Sequence, residues 1–187
     1  LFAEGQAVYR QVEKRRAVFQ TGSQQRSDRL FRRAVELVRN GILGKVHTIK
    51  VGQQSGYAQP MGDSKLEKIP EQLDYDFWCG PAQVLPYMRA RHHRWWRGHS
   101  AYGGGVLMDW IGHHNDIAHW ALGLDSSGPE EVEAIGWTFP KNGVYDTPVR
   151  YTIQCKYAGG VSSTISSENA AGLEMIGSRG SVFVNRG

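Results

Sequence analysis

The spacing of apolar residues predicts a helix, a strand, a second helix and a second strand in the first 53 residues. Residues 4–15 have a helical composition, and residues 17–21 form a short apolar run typical of a strand. Asp28 is placed to cap a helix that Gly41 ends, and residues 47–53 alternate as a strand does. The buried side of the capped helix is predicted to comprise Leu30, Ala34, Leu37 and Val38.

The middle of the chain separates into a polar loop, an aromatic region and a helix. Residues 55–70 are rich in Gly, Pro, Ser and Lys and indicate an exposed loop. Residues 75–96 contain several Trp, Arg and His residues with neither helical nor strand periodicity. Such an irregular aromatic segment is suited to lining a substrate-binding site. Residues 105–122 have helical spacing.

Extended patterns dominate after Gly123. Five runs separated by turn residues predict strands, and residues 157–161 are typical of a hairpin turn. Short turns between consecutive strands imply an open, mainly antiparallel sheet, which the helix at residues 105–122 covers on one face. The fold class is therefore α/β, in the α+β sense. The five runs are residues 129–137, 149–157, 160–167, 173–176 and 182–185.

Composition narrows the possible functions. The 187 residues are 40% hydrophobic and 11% aromatic, enough for one packed core. A net charge of +4 from mixed clusters argues against a dedicated nucleic-acid surface. No apolar run reaches the ~18 residues that a membrane span needs. Cys79 and Cys155 show neither a disulfide framework nor a metal-ligand spacing.

The helix at residues 105–122 carries the candidate chemistry. Asp109, His113 and Asp116 fall at i, i+4 and i+7, which places them on one stripe. A histidine beside a carboxylate is a candidate general acid/base pair, because the imidazole titrates near neutral pH and the carboxylate orients it. The alternative is that these three side chains form a solvated surface stripe with no catalytic role.

Neighbouring residues refine this prediction. The three glycines at residues 103–105 favour a close backbone approach to a ligand, with free N–H groups at the positive end of the helix dipole. His114 is rotated off the stripe, so we expect it to pack against the sheet or to bond to backbone. A metal site is disfavoured, because adjacent helical residues point ~100° apart.

Six segments together resemble the glucose–fructose oxidoreductase / inositol dehydrogenase / MocA (Gfo/Idh/MocA) family, whose members are nicotinamide-dependent enzymes acting on sugars and polyols. The most specific is the run from Tyr102 to Gly123, YGGGVLMDWIGHHNDIAHWALG. The chain contains neither a Gly-x-Gly-x-x-Gly element nor the family's Glu-Lys-Pro tripeptide. The other five segments are VFQTGSQQRS, RNGILGKV, DFWCGPA, RHHRWWR and GLEMIGSRGSVFV.

The resemblance implies a domain division. Residues 1–21 would be the last helix and strand of a dinucleotide-binding Rossmann domain, and residues 22–187 a C-terminal substrate-binding α/β domain truncated at its C-terminus. The chain would then be cut at both of its ends. Most of the NAD or NADP site would then lie outside this chain, so the chain alone is expected to be inactive. The resemblance also implies a homo-oligomer paired through the sheet face. The location would be the cytoplasm, or the periplasm if an export signal precedes the chain.

The resemblance also assigns roles to residues. His113 would be the general base that takes the proton of a sugar or polyol hydroxyl, while Asp109 orients it. Asp116 would support the substrate site, and Gln25 and Arg26 would lie beside the cofactor or substrate; without the resemblance, both are ordinary loop residues. The expected sugar-facing wall consists of Arg91, His93, Trp96 and Arg97, for which a salt-bridged surface is the alternative.

Two other functions remain open at this point. One is a family branch that uses transient oxidation to cleave a glycoside without net redox change. The other is a non-catalytic carbohydrate-binding scaffold that has kept the fold. The sequence fixes neither the sugar or polyol nor the choice between NAD and NADP.

Overall fold

The computed structural model describes residues 2–187, so Leu1, the first residue of the predicted Rossmann remnant, lies outside the described residues. Within residues 2–187, four α-helices and six strands are connected by loops and short 3₁₀ turns. The helices are α1 (Phe2–Arg15), α2 (Arg29–Arg39), α3 (Tyr75–Cys79) and α4 (Gly105–Leu122). The strands are β1 (Val46–Gly52), β2 (Glu131–Thr138), β3 (Arg150–Tyr157), β4 (Val161–Ser166), β5 (Gly172–Gly177) and β6 (Gly180–Val184).

The six strands form one open sheet in the order β2-β3-β4-β1-β5-β6. β1 lies in the centre, parallel to β4 and antiparallel to β5, and the other neighbours are all antiparallel. This arrangement confirms the predicted mainly antiparallel sheet. The hairpin predicted at residues 157–161 joins β3 to β4.

One face of the sheet packs under α2 and α4. Strand residues two apart share a face, so Ile49 and Val51 of β1 align with Ile165 of β4 and Leu173 of β5 in the core. Ser163 is polar, yet it aligns with Ile49 and is buried on this face. Strand register decides the face of every residue, and a serine is small enough for either face.

Helix α2 begins where the sequence predicts, but its buried face is rotated. The carboxylate of Asp28 accepts from the amides of Leu30 and Phe31 at 2.8 and 3.3 Å, which caps the helix. Leu30 itself is 50% exposed, so its predicted burial is wrong. Ala34 is buried as predicted, and Leu37 and Val38 are partly buried against the core. Phe31 and Val35 take the buried place that was predicted for Leu30.

The first 23 residues differ from the prediction in one element. Helix α1 forms and has no buried residue. Residues 17–23 contain neither helix nor strand, so the strand expected at residues 17–21 is absent. A strand is defined by pairing with a neighbour, and these residues have no strand beside them; Val18 and Phe19 are accordingly exposed.

The connection from β1 to α4 holds a second, smaller aromatic cluster. Tyr75 and Cys79 of α3 pack with Tyr87, and Trp78 stacks on Tyr75 with a centroid distance of 5.6 Å. This cluster gives the irregular aromatic region a packed base, which explains how Trp, Arg and His can crowd together without a helical or strand period. Among residues 2–187, no helix has the length and apolar character to cross a membrane.

Candidate functional site

The glycine run positions α4 by allowing close approach of the chain's own side chains. Gly104 and Gly105 adopt left-handed conformations with φ of 69° and 77°. A Cβ on Gly103 would lie 2.6 Å from Trp96, and one on Gly105 would lie 2.7 Å from Thr147. The amides of Gly103 and Gly104 donate to the carbonyl of His99. The expectation of free N–H groups approaching a ligand is therefore wrong for these two amides.

The predicted stripe on α4 is present, and an arginine holds each of its carboxylates. Arg97 Nε lies 3.1 Å from Asp109 Oδ1. Arg26 donates two hydrogen bonds of 2.8 Å to the two oxygens of Asp116. His113 lies between these pairs, one helical turn from Asp109 and three residues from Asp116.

His113 is partly buried, and within residues 2–187 its ring has no hydrogen-bond partner. Its edge meets the Trp110 ring at a centroid distance of 5.8 Å. Burial lowers the pKa of the His113 imidazole below its usual range, and the charge of Arg186 lowers that pKa further. Asp109 and Asp116 raise it, but they do not reverse the net direction. The ring is therefore neutral at pH 7, and a neutral ring can accept a proton.

The structure brings together two of the four residues predicted for the sugar-facing wall. The Arg97 guanidinium lies 4.6 Å from the centre of the Trp96 ring while it pairs with Asp109. Arg91 instead donates to the Pro86 carbonyl at 2.7 Å. His93 is exposed and lies against His92, with ring centroids 5.6 Å apart. Trp96 and Arg97 thus border the stripe, whereas Arg91 and His93 pair away from it.

Gln25 and Arg26 sit on the 3₁₀ turn before α2, and both reach the site. Gln25 is buried, its Oε1 accepts from Arg186 Nε at 2.7 Å, and its Nε2 has no partner. Arg26 joins Asp116 to Asp125. Neither residue is therefore an ordinary exposed loop residue, which was the interpretation without the family resemblance.

Arg186 is the site residue that sequence reasoning missed. It stacks on Trp110 at 4.6 Å, bonds Gln25 and lowers the pKa of His113. Its sequence signal is a cation two residues after Val184, the last apolar residue of β6. Within residues 2–187, no three His, Cys, Asp or Glu side chains converge as a metal site would require.

His114 behaves as the sequence predicts. It is buried, its Nδ1 lies 3.1 Å from the carbonyl oxygen of Gly52, and its ring stacks on Phe31 at 5.9 Å. The sequence predicted either packing or a backbone hydrogen bond for His114, and the structure shows both.

The electrostatics of the stripe predict how activity depends on pH. Asp109 raises the pKa of His113, so Asp109→Asn should lower that pKa, and the unpaired Arg97 should lower it further. A base works only when deprotonated, so the acidic limb of a kcat/KM profile should move to lower pH in the complete protein. Asp125→Asn is the control, because that carboxylate acts on His119. A limb that stays in place in Asp109→Asn would contradict the assignment.

The family description that fits this fold is "Oxidoreductase family, C-terminal alpha/beta domain", which matches residues 29–185. The chain belongs to the Gfo/Idh/MocA oxidoreductase family. The match includes the whole of α4, its stripe and the six-stranded sheet, and it begins at the first residue of α2. This confirms the family that the sequence segments resemble.

Solved structures share the Gfo/Idh/MocA fold at low sequence identity. A probable dehydrogenase from Thermotoga maritima has a TM-score of 0.62 and 20% identity, over 99% of this chain and 47% of that one. The WlbA dehydrogenase from Bordetella pertussis, in complex with NADH and UDP-GlcNAcA, has a TM-score of 0.64 and 14% identity, over 98% and 47%.

A putative myo-inositol dehydrogenase from Sinorhizobium meliloti 1021 has a TM-score of 0.59 and 19% identity, over 96% of this chain and 45% of that one. The chain thus spans less than half the length of these Gfo/Idh/MocA proteins. No curated protein matches it.

Proposed function

We propose that this chain is the substrate-binding and base-providing part of an NAD(P)-dependent oxidoreductase, which transfers a hydride between nicotinamide and a hydroxyl-bearing carbon of a sugar or polyol. The observation that carries the proposal is the unpartnered, neutral His113 between two carboxylates that arginines already hold. Oxidation of an alcohol removes a proton from oxygen and a hydride from carbon. His113 is the group on this chain able to take that proton.

The two carboxylates have different positioning roles in this proposal. Asp109 partly offsets the effect of burial on His113, and its bond to Arg97 fixes where its charge lies. Asp116 acts through Arg26, since both its oxygens receive that guanidinium. Asp116 therefore anchors the 3₁₀ turn to α4 and supports the substrate site through that anchor.

The residues at that turn fit a cofactor. Gln25 is 5% exposed and its Nε2 has no partner, so it can donate to an amide or phosphate oxygen without breaking an existing bond. Gln25 and, beside it, Arg26 would contact NAD or NADP. The nicotinamide, when bound, supplies the hydride acceptor. The solved WlbA complex with NADH is consistent with this chemistry in the same fold.

Trp96 and Arg97 are proposed to form the wall that faces the sugar or polyol. The CH-rich face of a sugar packs on an indole ring, while a guanidinium donates to hydroxyls. Trp96 is partly exposed and its neighbour Arg97 reaches Asp109, so this wall borders His113. Arg91 and His93 would contribute at the far end of a larger substrate.

The test is product analysis with the complete protein. NAD and NADP are each supplied with a panel of sugars, polyols and glycosides, and both reduced cofactor and cleaved glycoside are measured. Stoichiometric reduced cofactor supports the proposal, and the 187-residue chain alone should give none. Cleaved glycoside with unchanged cofactor would identify the transient-oxidation chemistry instead. No turnover on the whole panel would favour a scaffold.

We also propose that the complete protein is a homo-oligomer, paired through the sheet face that α2 and α4 leave uncovered. That face carries the Lys50–Glu174 ion pair, with Nζ and Oε2 3.0 Å apart, and Phe183, which is 49% exposed. A two-fold axis over it would give each copy the same polar and apolar contacts.

Light scattering of the complete protein should therefore report a dimer or a larger assembly. Thr164→Arg adds a cation opposite Lys50 in the register, so like-charge repulsion across the axis should weaken association about tenfold or more, ~1.4 kcal/mol. Gln72→Arg, an exposed loop position, adds the same charge elsewhere and should change nothing. A strict monomer at high micromolar concentration would refute the oligomer.

A further inference from the structure

A surface cavity of about 420 Å³ lies between α3 and the turn that precedes α4. Within residues 2–187, its lining consists of Trp78, Trp96 and Tyr102 together with a cysteine, a proline and two alanines. An apolar cavity of about 150 Å³ is large enough to hold benzene, so this cavity has room for one or two aromatic rings. It is thus a pocket of small-molecule size with aromatic walls.

Neighbouring residues hold the three aromatic walls in place. Trp78 stacks on Tyr75 with a centroid distance of 5.6 Å, and its ring meets Tyr102 at 5.4 Å and an angle of 61°. Trp96 lies so close to Gly103 that a Cβ on that glycine would be 2.6 Å from the indole. Walls that are already ordered lose little conformational entropy when a ligand binds. The cavity is therefore suited to a rigid ligand.

The polar character of the lining narrows the class of ligand. The Tyr102 hydroxyl already donates to the Gln83 carbonyl at 2.9 Å and accepts from the Leu85 amide at 3.3 Å. The lining contains no Asp, Glu, Lys, Arg or His, and a charged group buried without a partner is costly. A phosphate or carboxylate is therefore disfavoured here. A flat aromatic ring is favoured, because it stacks on indole and phenol rings better than an aliphatic group of the same area does.

Trp96 connects this cavity to the candidate site. The Arg97 guanidinium lies 4.6 Å from the centre of the Trp96 ring, and its Nε lies 3.1 Å from Asp109 Oδ1. His113 follows Asp109 by about one helical turn, a rise of ~6 Å. One ligand can therefore occupy the cavity with an aromatic end while its other end reaches the stripe on α4.

We propose that this cavity binds the aryl group of an aryl glycoside, whose sugar ring lies against the wall proposed for Trp96 and Arg97. Trp78, Trp96 and Tyr102 then select a sugar that carries an aromatic substituent over the free sugar. The inference rests on the proposed function for the sugar half of the ligand. The aromatic half rests on the cavity itself.

The test is calorimetric titration of the complete protein, without cofactor, with the phenyl and methyl β-glycosides of glucose, galactose and xylose. For a sugar that binds, the phenyl glycoside should bind about tenfold or more tightly than the methyl glycoside, because the phenyl ring buries more apolar area. Equal affinities, or no binding of any phenyl glycoside, would overturn the proposal. Tighter binding of UDP-glucose than of phenyl glucoside would also overturn it, since a nucleotide would then be the better occupant.

A pair of variants locates the aryl group. Ala101 lines the cavity and is exposed, so Ala101→Glu places a carboxylate at the cavity without disturbing the core. The preference for phenyl over methyl glycoside should fall about tenfold. Ala158→Glu adds the same charge on the exposed turn between β3 and β4 and should leave the preference unchanged. Equal losses in both variants, or no loss in Ala101→Glu, would place the aryl group elsewhere and overturn the proposal.

These binding measurements do not require hydride transfer. A complete protein that prefers phenyl glycosides but reduces no cofactor would therefore contradict the proposed function and support the aryl pocket. A protein that reduces cofactor with free sugars and shows no phenyl preference would do the reverse.

Discussion

Replacing His113 with alanine in the complete protein is expected to lower kcat by about 10²–10⁴-fold, the usual cost of removing a general base. The imidazole acts on the hydroxyl proton as the hydride leaves, so the dissociation constant of NAD or NADP should hardly change. Steady-state kinetics and a fluorescence titration of the cofactor measure the two quantities separately. His119→Ala is the matched control, because that histidine lies on the same helix and contacts Tyr157.

The assignment of the base fails if His113→Ala keeps most of its turnover. A loss of cofactor affinity equal to the loss of kcat would also contradict it, since His113 would then be a binding residue. If the His119 variant were as impaired as the His113 variant, disturbance of α4 as a whole would explain both.

Gly105→Ala is expected to destabilise the chain by about 2–5 kcal/mol. The residue has φ of 77°, where a side chain costs ~1–2 kcal/mol. Its new Cβ would meet Thr147, which is buried and hydrogen-bonded to the Gly98 carbonyl, and overpacking costs ~1–3 kcal/mol. The free energy of unfolding in urea measures the sum.

The same helix offers an opposite change as control. Gly112 lies within α4, and a Cβ there would meet nothing within 4 Å. Gly112→Ala should therefore stabilise the chain by about 0.5–1 kcal/mol, because alanine has the higher helix propensity. Equal effects of both substitutions would show that the tight contact with Thr147 does not control how α4 begins.

Much of the fold follows from periodicity and turn chemistry. The cap at Asp28, the hairpin at residues 157–161 and the five later strands are local features, and the structure has all of them. The errors concern partners distant in sequence. Leu30 was predicted to be buried, but packing against distant residues decides which side of a helix is buried. Residues 17–21 need a neighbouring strand to become a strand themselves.

The candidate site shows the same division. Helical spacing suffices to place Asp109, His113 and Asp116 on one stripe. It does not show that Arg26, which precedes Asp116 by 90 residues, holds both of its oxygens. Nor does it show that Arg186 reaches Trp110. Such pairs depend on the path of the chain through the sheet, which local pattern does not encode.

The central position of β1 has a consequence for synthesis. Its two neighbours are supplied by residues 161–166 and 172–177, more than 100 positions later in the chain. The middle of the sheet therefore remains unpaired until the ribosome has released almost all of these 187 residues. Pairing over such separations is slow, and the waiting strand is open to aggregation. A chaperone that binds nascent chains would therefore protect this domain most while β1 has been synthesised but β4 and β5 have not.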